Sequence, residues 1–285
     1  MIFNKLKKGD SVGIISPASP FKKESFLKGI EILKSYNLIP VYSENILNES
    51  TGYLNNNDDF RVGDFENYLS NEKINVIFCA RGGYGSIRTL NQMNKDLLLN
   101  KKKLIIGFSD ITVFHAYLNK NNISTLHGPM VASFHKHLPS TEKLFNILFG
   151  ITKNIIFEIK ALNHFKQQIS GVIVGGNFAV FNSLIGTQFL PDLKNKILFL
   201  EDINEPLYKI DRMIMQLKLT QNLPNAIILG QFLDCGDLND IELLFLENFD
   251  IPVYSNLNVG HFENNETLPL GVFATIDNNN LIIEL

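Results

Sequence analysis

The sequence predicts a two-domain α/β protein, with a parallel-sheet domain followed by a mixed domain. Three observations carry that expectation. Over residues 1–150, short apolar runs alternate with amphipathic stretches, the pattern of strands joined by crossover helices. After about residue 150 the pattern loosens, and a polar, irregular stretch at 161–170 precedes a strand-rich remainder. The chain has 285 residues, which is long for one compact core and short for three. The expected division is 1–152 for the first domain, 153–170 for a linker and 171–285 for the second domain.

Each element has a local reason. Residues 11–17 (SVGIISP) form a buried apolar run closed by proline, hence a strand. A helix is expected at 21–36, where Phe26, Ile30 and Leu33 recur at helical spacing. A second strand is expected at 38–42. Val62, Phe65 and Leu69 mark a helix at 58–69. The run 76–80 (VIFCA) is a third strand, followed by a glycine-rich turn at 81–85 and a helix carrying Ile87 and Leu90. Residues 104–108 are a fourth strand with its helix at 110–118. In the second half, strands are expected at 171–175, 196–200, 226–231, 253–259 and within 271–285. Helices are expected at 178–184, 212–218 and 243–249.

Composition narrows the function classes. The formal net charge is −3 and the pI about 6.1, with no dominant basic face, which argues against nucleic acid as the partner. No apolar run is long enough to span a membrane. Residues 1–10 contain lysines but no apolar stretch of signal-peptide length, so a cytoplasmic location is expected. Two cysteines, Cys79 and Cys235, are too few for a disulfide framework, and both read as buried free thiols.

Parallel sheets gather ligands at the carboxyl ends of their strands. Three turns fall there: 16–19 (SPAS), 81–85 (RGGYG) and 107–110 (GFSD). Ser109 fits two roles. It can project a hydroxyl into a cleft, with the next amide facing an oxyanion, or Ser109-Asp110 can simply cap the following helix. The Gly82-Gly83 pair lets a ligand approach free backbone amides, and Arg81 can fork onto a carboxylate or rest in a surface ion pair. Neither the dinucleotide fingerprint nor the Walker pattern is present. Glu201 and Asp202 end an apolar strand, where one of them can orient a histidine or both can begin a solvated loop; Glu205 competes for the first role. His261 follows Gly260 on a loop. His115 reads as packed on a helix, and His127 as a second histidine able to line a cleft. His135 and His137 show no zinc spacing.

The ordered set of segments at 12–17 (VGIISP), 80–90 (ARGGYGSIRTL), 106–112 (IGFSDIT), 127–130 (HGPM), 171–186 (GVIVGGNFAVFNSLIG), 197–217 (ILFLEDINEPLYKIDRMIMQL), 227–232 (IILGQF), 259–261 (VGH) and 267–271 (TLPLG) resembles the murein LD-carboxypeptidase family of serine peptidases, which also includes the microcin C immunity peptidases. The resemblance covers nearly the whole chain. It implies a Rossmann-like N-terminal domain, a β-rich C-terminal domain, an active site at their junction and a homodimer. It implies Ser109 as nucleophile, Glu201 as acid and His261 as base, with oxyanion donors from the Gly82-Gly83 turn and the Asp110 amide. The implied reaction releases D-alanine from a murein tetrapeptide, for peptidoglycan recycling, without metal or organic cofactor. Arg81, with Gly82, is the candidate for holding the terminal carboxylate, and Ser86, Asn177 and Tyr208 are candidates for shaping the cleft. Two alternatives remain at this stage: cleavage of a peptide-nucleotide antibiotic by the same residues, and a non-catalytic small-molecule binding module.

Overall fold

A computed structural model describes residues 4–48, 52–164 and 168–285. In the first half the elements run β1 (Ser11–Ile15), α1 (Lys23–Ser35), β2 (Ile39–Val41), α2 (Asp58–Ser70), β3 (Ile74–Cys79), α3 (Ser86–Gln92), α4 (Lys95–Lys101), β4 (Leu104–Gly107), α5 (Thr112–Lys120), β5 (Thr125–His127) and α6 (Leu138–Leu148). The second half continues with β6 (Asn154–Glu158), β7 (Lys160–Ala161), β8 (Ile169–Asn177), α7 (Phe178–Ser183), β9 (Lys196–Ile203), α8 (Leu207–Leu219), β10 (Ala226–Leu233), α9 (Leu238–Asn248), β11 (Val253–Ser255), β12 (Leu268–Leu270), β13 (Phe273–Asp277) and β14 (Asn280–Glu284).

The first sheet has the order β12-β5-β4-β3-β1-β2. Its five strands from the first half are all parallel, in the order of a doubly wound sheet: the four expected strands plus β5, which the sequence pattern does not show. The connections diverge between β1 and β3. The turns after those two strands therefore open a crevice at the carboxyl edge. The sixth strand comes from the far end of the chain: β12 lies antiparallel to β5, with Leu268 opposite His127.

The second sheet has the order β6-β14-β13-β8-β9-β10-β11-β7. Its centre, β8 to β11, is parallel, and antiparallel strands flank it on both sides. This is the mixed α/β second domain. Part of the stretch expected as linker is strand. In β6, Ile155 and Phe157 point inward while Ile156 and Glu158 face solvent, the alternation of a half-buried strand. Residues 165–167 of that expected linker lie outside the described residues.

The two halves share their cores. One apolar cluster joins Phe65 and Phe114 to Phe178 and Phe245. The other joins Phe78, Phe134 and Phe145 to Phe199 and Ile283. Helix α1 buries Phe26, Ile30 and Leu33, the residues whose spacing predicted it. It also buries Gly29 against the 3₁₀ turn Val131–Lys136, where a β-carbon would stand 2.0 Å from the Val131 carbonyl oxygen. Alanine normally favours a helix interior over glycine by up to ~1 kcal/mol. Here the backbone clash dominates, and Gly29→Ala is expected to cost a net ~1–3 kcal/mol, as overpacking does. A urea midpoint at or above that of wild type would refute this close approach.

Candidate active site

Strand β4 ends at Gly107, Phe108 is extended, and Ser109 opens a 3₁₀ turn, Ser109–Ile111, that leads into α5. Ser109 has φ +64°, a left-handed conformation uncommon for a non-glycine residue; most of the other non-glycine residues of this chain that adopt it are asparagines. Its hydroxyl makes no hydrogen bond among the described residues and caps no helix. It lines a cleft of about 430 Å³ together with Arg81, Gly82, Gly83, Phe108 and His261. Gly82 passes close: a β-carbon there would stand 3.0 Å from Ser109 Cβ and 3.3 Å from its Oγ.

Asp110 does cap a helix, but not the one that follows it. It is buried, and its carboxylate accepts the Ser86 backbone N–H at 2.7 Å, at the start of α3. The glycine turn 81–85 is thereby tied to the serine turn. Burial pushes the Asp110 carboxyl up from its ordinary value, against the pull of the Ser86 and Gly85 hydrogen bonds.

Strand β9 runs past residue 200 to Ile203, so Glu201 and Asp202 are not a solvated pair. Both are buried within the strand. They do different work. Asp202 accepts hydrogen bonds from the Asn177 side chain and from the Ala179 and Ile203 amides, each at 2.9 Å, and so caps α7. Burial pushes its carboxyl up to about 6. Glu201 points the other way. His261 Nδ1 donates to its Oε2 at 2.7 Å.

His261 reaches Glu201 because the chain after β11 turns tightly at Gly260. There φ is +139°, and a β-carbon would stand 3.1 Å from Glu201 Oε2. Burial is the strongest single influence and opposes a charge on Glu201, but the charge and hydrogen bond of His261 together with His127 outweigh it and hold the carboxyl well below its usual range. Burial also opposes a charge on His261, and the Glu201 carboxylate overcomes this and raises the imidazole above its ordinary value. The ring packs 4.8 Å from Phe108 and lines the cleft beside Ser109.

The structure thus brings Ser109, His261, Arg81, Gly82 and Gly83 to one cleft, with Glu201 directly behind His261. Arg81 is exposed at its rim, its guanidinium donating to the Pro20 carbonyl. Lys22 and Lys136 also line the cleft, and among the described residues no acidic one does. Ser86, Asn177 and Tyr208 stay out of it. The Ser86 amide holds Asp110, Asn177 holds Asp202, and Tyr208 is exposed beside Arg212 on α8. Glu205 pairs with Lys209 at 3.3 Å. His115 is wholly buried, as expected, and donates from Nε2 to the Gly107 carbonyl at 2.8 Å. His127 does not line this cleft: it is wholly buried, 3.7 Å from Glu201. Sequence reading missed that position because its neighbour, Glu201, comes from the other half of the chain. Among the described residues, no group of three or more His, Cys, Asp and Glu side chains is arranged to hold a metal ion, and no helix is long and apolar enough to cross a membrane.

Comparison with known proteins identifies the family. A family model described as the LD-carboxypeptidase N-terminal domain matches residues 12–128, and one described as the LD-carboxypeptidase C-terminal domain matches residues 170–276. The chain is 31% identical to a probable murein peptide carboxypeptidase of Bacillus subtilis, over 95% of this chain and 90% of the relative. It is 26% identical to the microcin C7 self-immunity protein of Escherichia coli, over 97% and 93%. Among solved structures, the muramoyltetrapeptide carboxypeptidase of Oxalobacter formigenes superposes with a TM-score of 0.82 at 25% identity, over 96% of this chain and 99% of that one.

Proposed function

The chain belongs to the LD-carboxypeptidase family, and on that premise we propose that it is a serine carboxypeptidase hydrolysing the bond between the L-centre of a diamino acid and the terminal D-alanine of murein tetrapeptides. One geometry is the main support: His261, bonded at 2.7 Å to a wholly buried Glu201, shares a cleft with Ser109 on its left-handed turn.

In this mechanism Ser109 Oγ attacks the scissile carbonyl while His261 Nε2 takes its proton. Glu201 holds the imidazole with its Nδ1–H turned in to the buried carboxylate and Nε2 toward the cleft, and stabilises the imidazolium that forms. The Gly83 and Asp110 amides receive the oxyanion, a role in which each donor typically contributes ~3–4 kcal/mol. His261 then protonates the departing D-alanine amine, and a water hydrolyses the acyl-enzyme. Arg81 takes the terminal carboxylate. The cationic lining of Lys22, Arg81 and Lys136 suits such an anionic substrate. We further take the protein to act as a cytoplasmic homodimer in peptidoglycan recycling.

Mass spectrometry of a diaminopimelate tetrapeptide incubated with the enzyme tests the assignment. Release of D-alanine is expected. Failure on that stem and on a lysine stem, with turnover of a peptide-nucleotide amide instead, would replace the substrate while keeping the site. The pH profile carries a second expectation. The base must be neutral to work, and Glu201 raises His261 above its usual 6.5, so the acid limb of kcat/KM should lie above pH 6.5. The ion pair has the opposite dependence. Its contribution to stability is present between the unfolded carboxylate and unfolded histidine values, is lost as pH rises through the raised histidine value, and is lost again in acid as pH falls through the lowered Glu201 value.

A further inference from the structure

We propose that His127 is a positioning residue for Glu201: from the first sheet it holds Oε1 of the carboxylate, fixing the rotation that presents Oε2 to His261. The proposal rests on Glu201 and His261 acting as acid and base.

The two oxygens of Glu201 are unequally served. Oε2 is bonded to His261 Nδ1 at 2.7 Å. Among the described residues Oε1 has no hydrogen-bond partner, and neither nitrogen of His127 has one. His127 Nε2 and Glu201 Oε1 face each other at 3.7 Å, with both side chains wholly buried. Buried polar atoms are almost always paired, and an orphaned donor facing an orphaned acceptor is a hydrogen bond awaiting a shift of under an ångström. Catalytic contacts often stand long in the empty enzyme and tighten when substrate binds. The pocket around His127 is apolar, with the Phe199 ring edge-on at 5.3 Å and the Phe108 ring at 5.8 Å.

The titratable neighbours leave Glu201 and His127 to each other. The His115 ring is 6.0 Å from that of His127, but it spends its Nε2–H on Gly107, and burial keeps it neutral, its value lowered to about 3. Asp202 faces Asn177 and α7. His261 takes the other oxygen.

The contact also crosses the molecule. Glu201 lies on β9 of the second sheet and His127 on β5 of the first. In register, His127 sits opposite Gly107, two residues before Ser109. Holding Oε1 therefore fixes the acid relative to the strand that delivers the nucleophile, and small misplacements of reacting groups are costly.

Steady-state kinetics on D-alanine release, with pH profiles and urea midpoints, test this in His127→Phe and His127→Gln. Loss of a hydrogen bond to a buried charge should lower kcat in the phenylalanine variant roughly 10- to 100-fold, with KM little changed. Its acid limb should move to higher pH, because Glu201, freed of one donor, pulls harder on the His261 proton. Glutamine carries an amide donor to the same place and should restore most of kcat and return the limb. Adding His127→Phe to Glu201→Gln should cost nothing more. A phenylalanine variant with wild-type kcat, or one whose kcat falls in step with its urea midpoint while the limb stays put, would overturn the proposal. So would a stably folded glutamine variant without rescue. If Glu201→Gln alone left turnover intact, the acid assignment would fall, and this proposal with it.

Discussion

Replacing Ser109 with alanine is expected to lower turnover by about 10⁶-fold, the scale on which serine hydrolases lose their nucleophile. Binding should survive, because the cleft walls at Arg81, Phe108 and His261 do not depend on the hydroxyl. Stability should also survive, because that hydroxyl makes no hydrogen bond among the described residues. The turn offers a further contrast. Holding φ at +64° costs a residue with a β-carbon roughly 1 kcal/mol, and glycine escapes that cost. Ser109→Gly should therefore be as inactive as Ser109→Ala yet more stable by roughly 1 kcal/mol. Mass spectrometry of D-alanine release, paired with urea unfolding, reads both. Residual turnover within ten-fold of wild type, about what loss of an ancillary contact would give, would remove Ser109 from the nucleophile's role.

Glu201→Gln is expected to lower kcat/KM by about 10³–10⁴-fold, the size of effect seen when a triad acid loses its charge. The substitution nearly keeps shape, so packing is not the cause. What is lost is the acceptor that fixes the Nδ1–H tautomer and the charge that stabilises the imidazolium. Two opposed influences act on His261, burial lowering it and Glu201 raising it. With the charge gone, burial is left opposed chiefly by Asp202, so the remaining activity should show its acid limb at lower pH than wild type. The His127→Phe limb should move the other way, so the two variants check each other. The fold should tolerate the change, because removing a buried charge also removes its desolvation cost. An unmoved acid limb in Glu201→Gln would mean that His261 is not the base that Glu201 serves.

The parallel first sheet was legible because β4 is an uninterrupted apolar run and β3 is one from Val76 onward, each followed by a helix. The turn at Ser109 was legible for the same reason, since a short apolar strand running directly into Ser-Asp leaves little room for anything but a sharp turn. Glu201 was harder. A glutamate after ILFL reads equally as the strand's end, and only the three-dimensional fold shows β9 continuing two residues further between neighbours that bury it. Asp110 reads locally as one of two candidate caps for α5, its sequence neighbour, but its carboxylate's hydrogen-bond partner is the Ser86 amide, 24 residues earlier. Helix α6 begins beside Pro139 and has few turns, and β5 has three residues, too few for a period to register. Strand β12, with Pro269 at its centre, shows no strand pattern at all. It exists because β5 offers an edge some 140 residues away along the chain.

That returning strand sets an order of events during synthesis. Until residue 270 has left the ribosome, β5 has no neighbour on its outer side, and the first sheet carries a raw edge able to pair with other chains. The residues that close the edge, Leu268–Leu270, follow His261 by only a few positions. Sealing the sheet and delivering the histidine to Glu201 are therefore one late step in the chain's emergence. A nascent chain halted before it would already carry Ser109 but would have neither a finished edge nor a base.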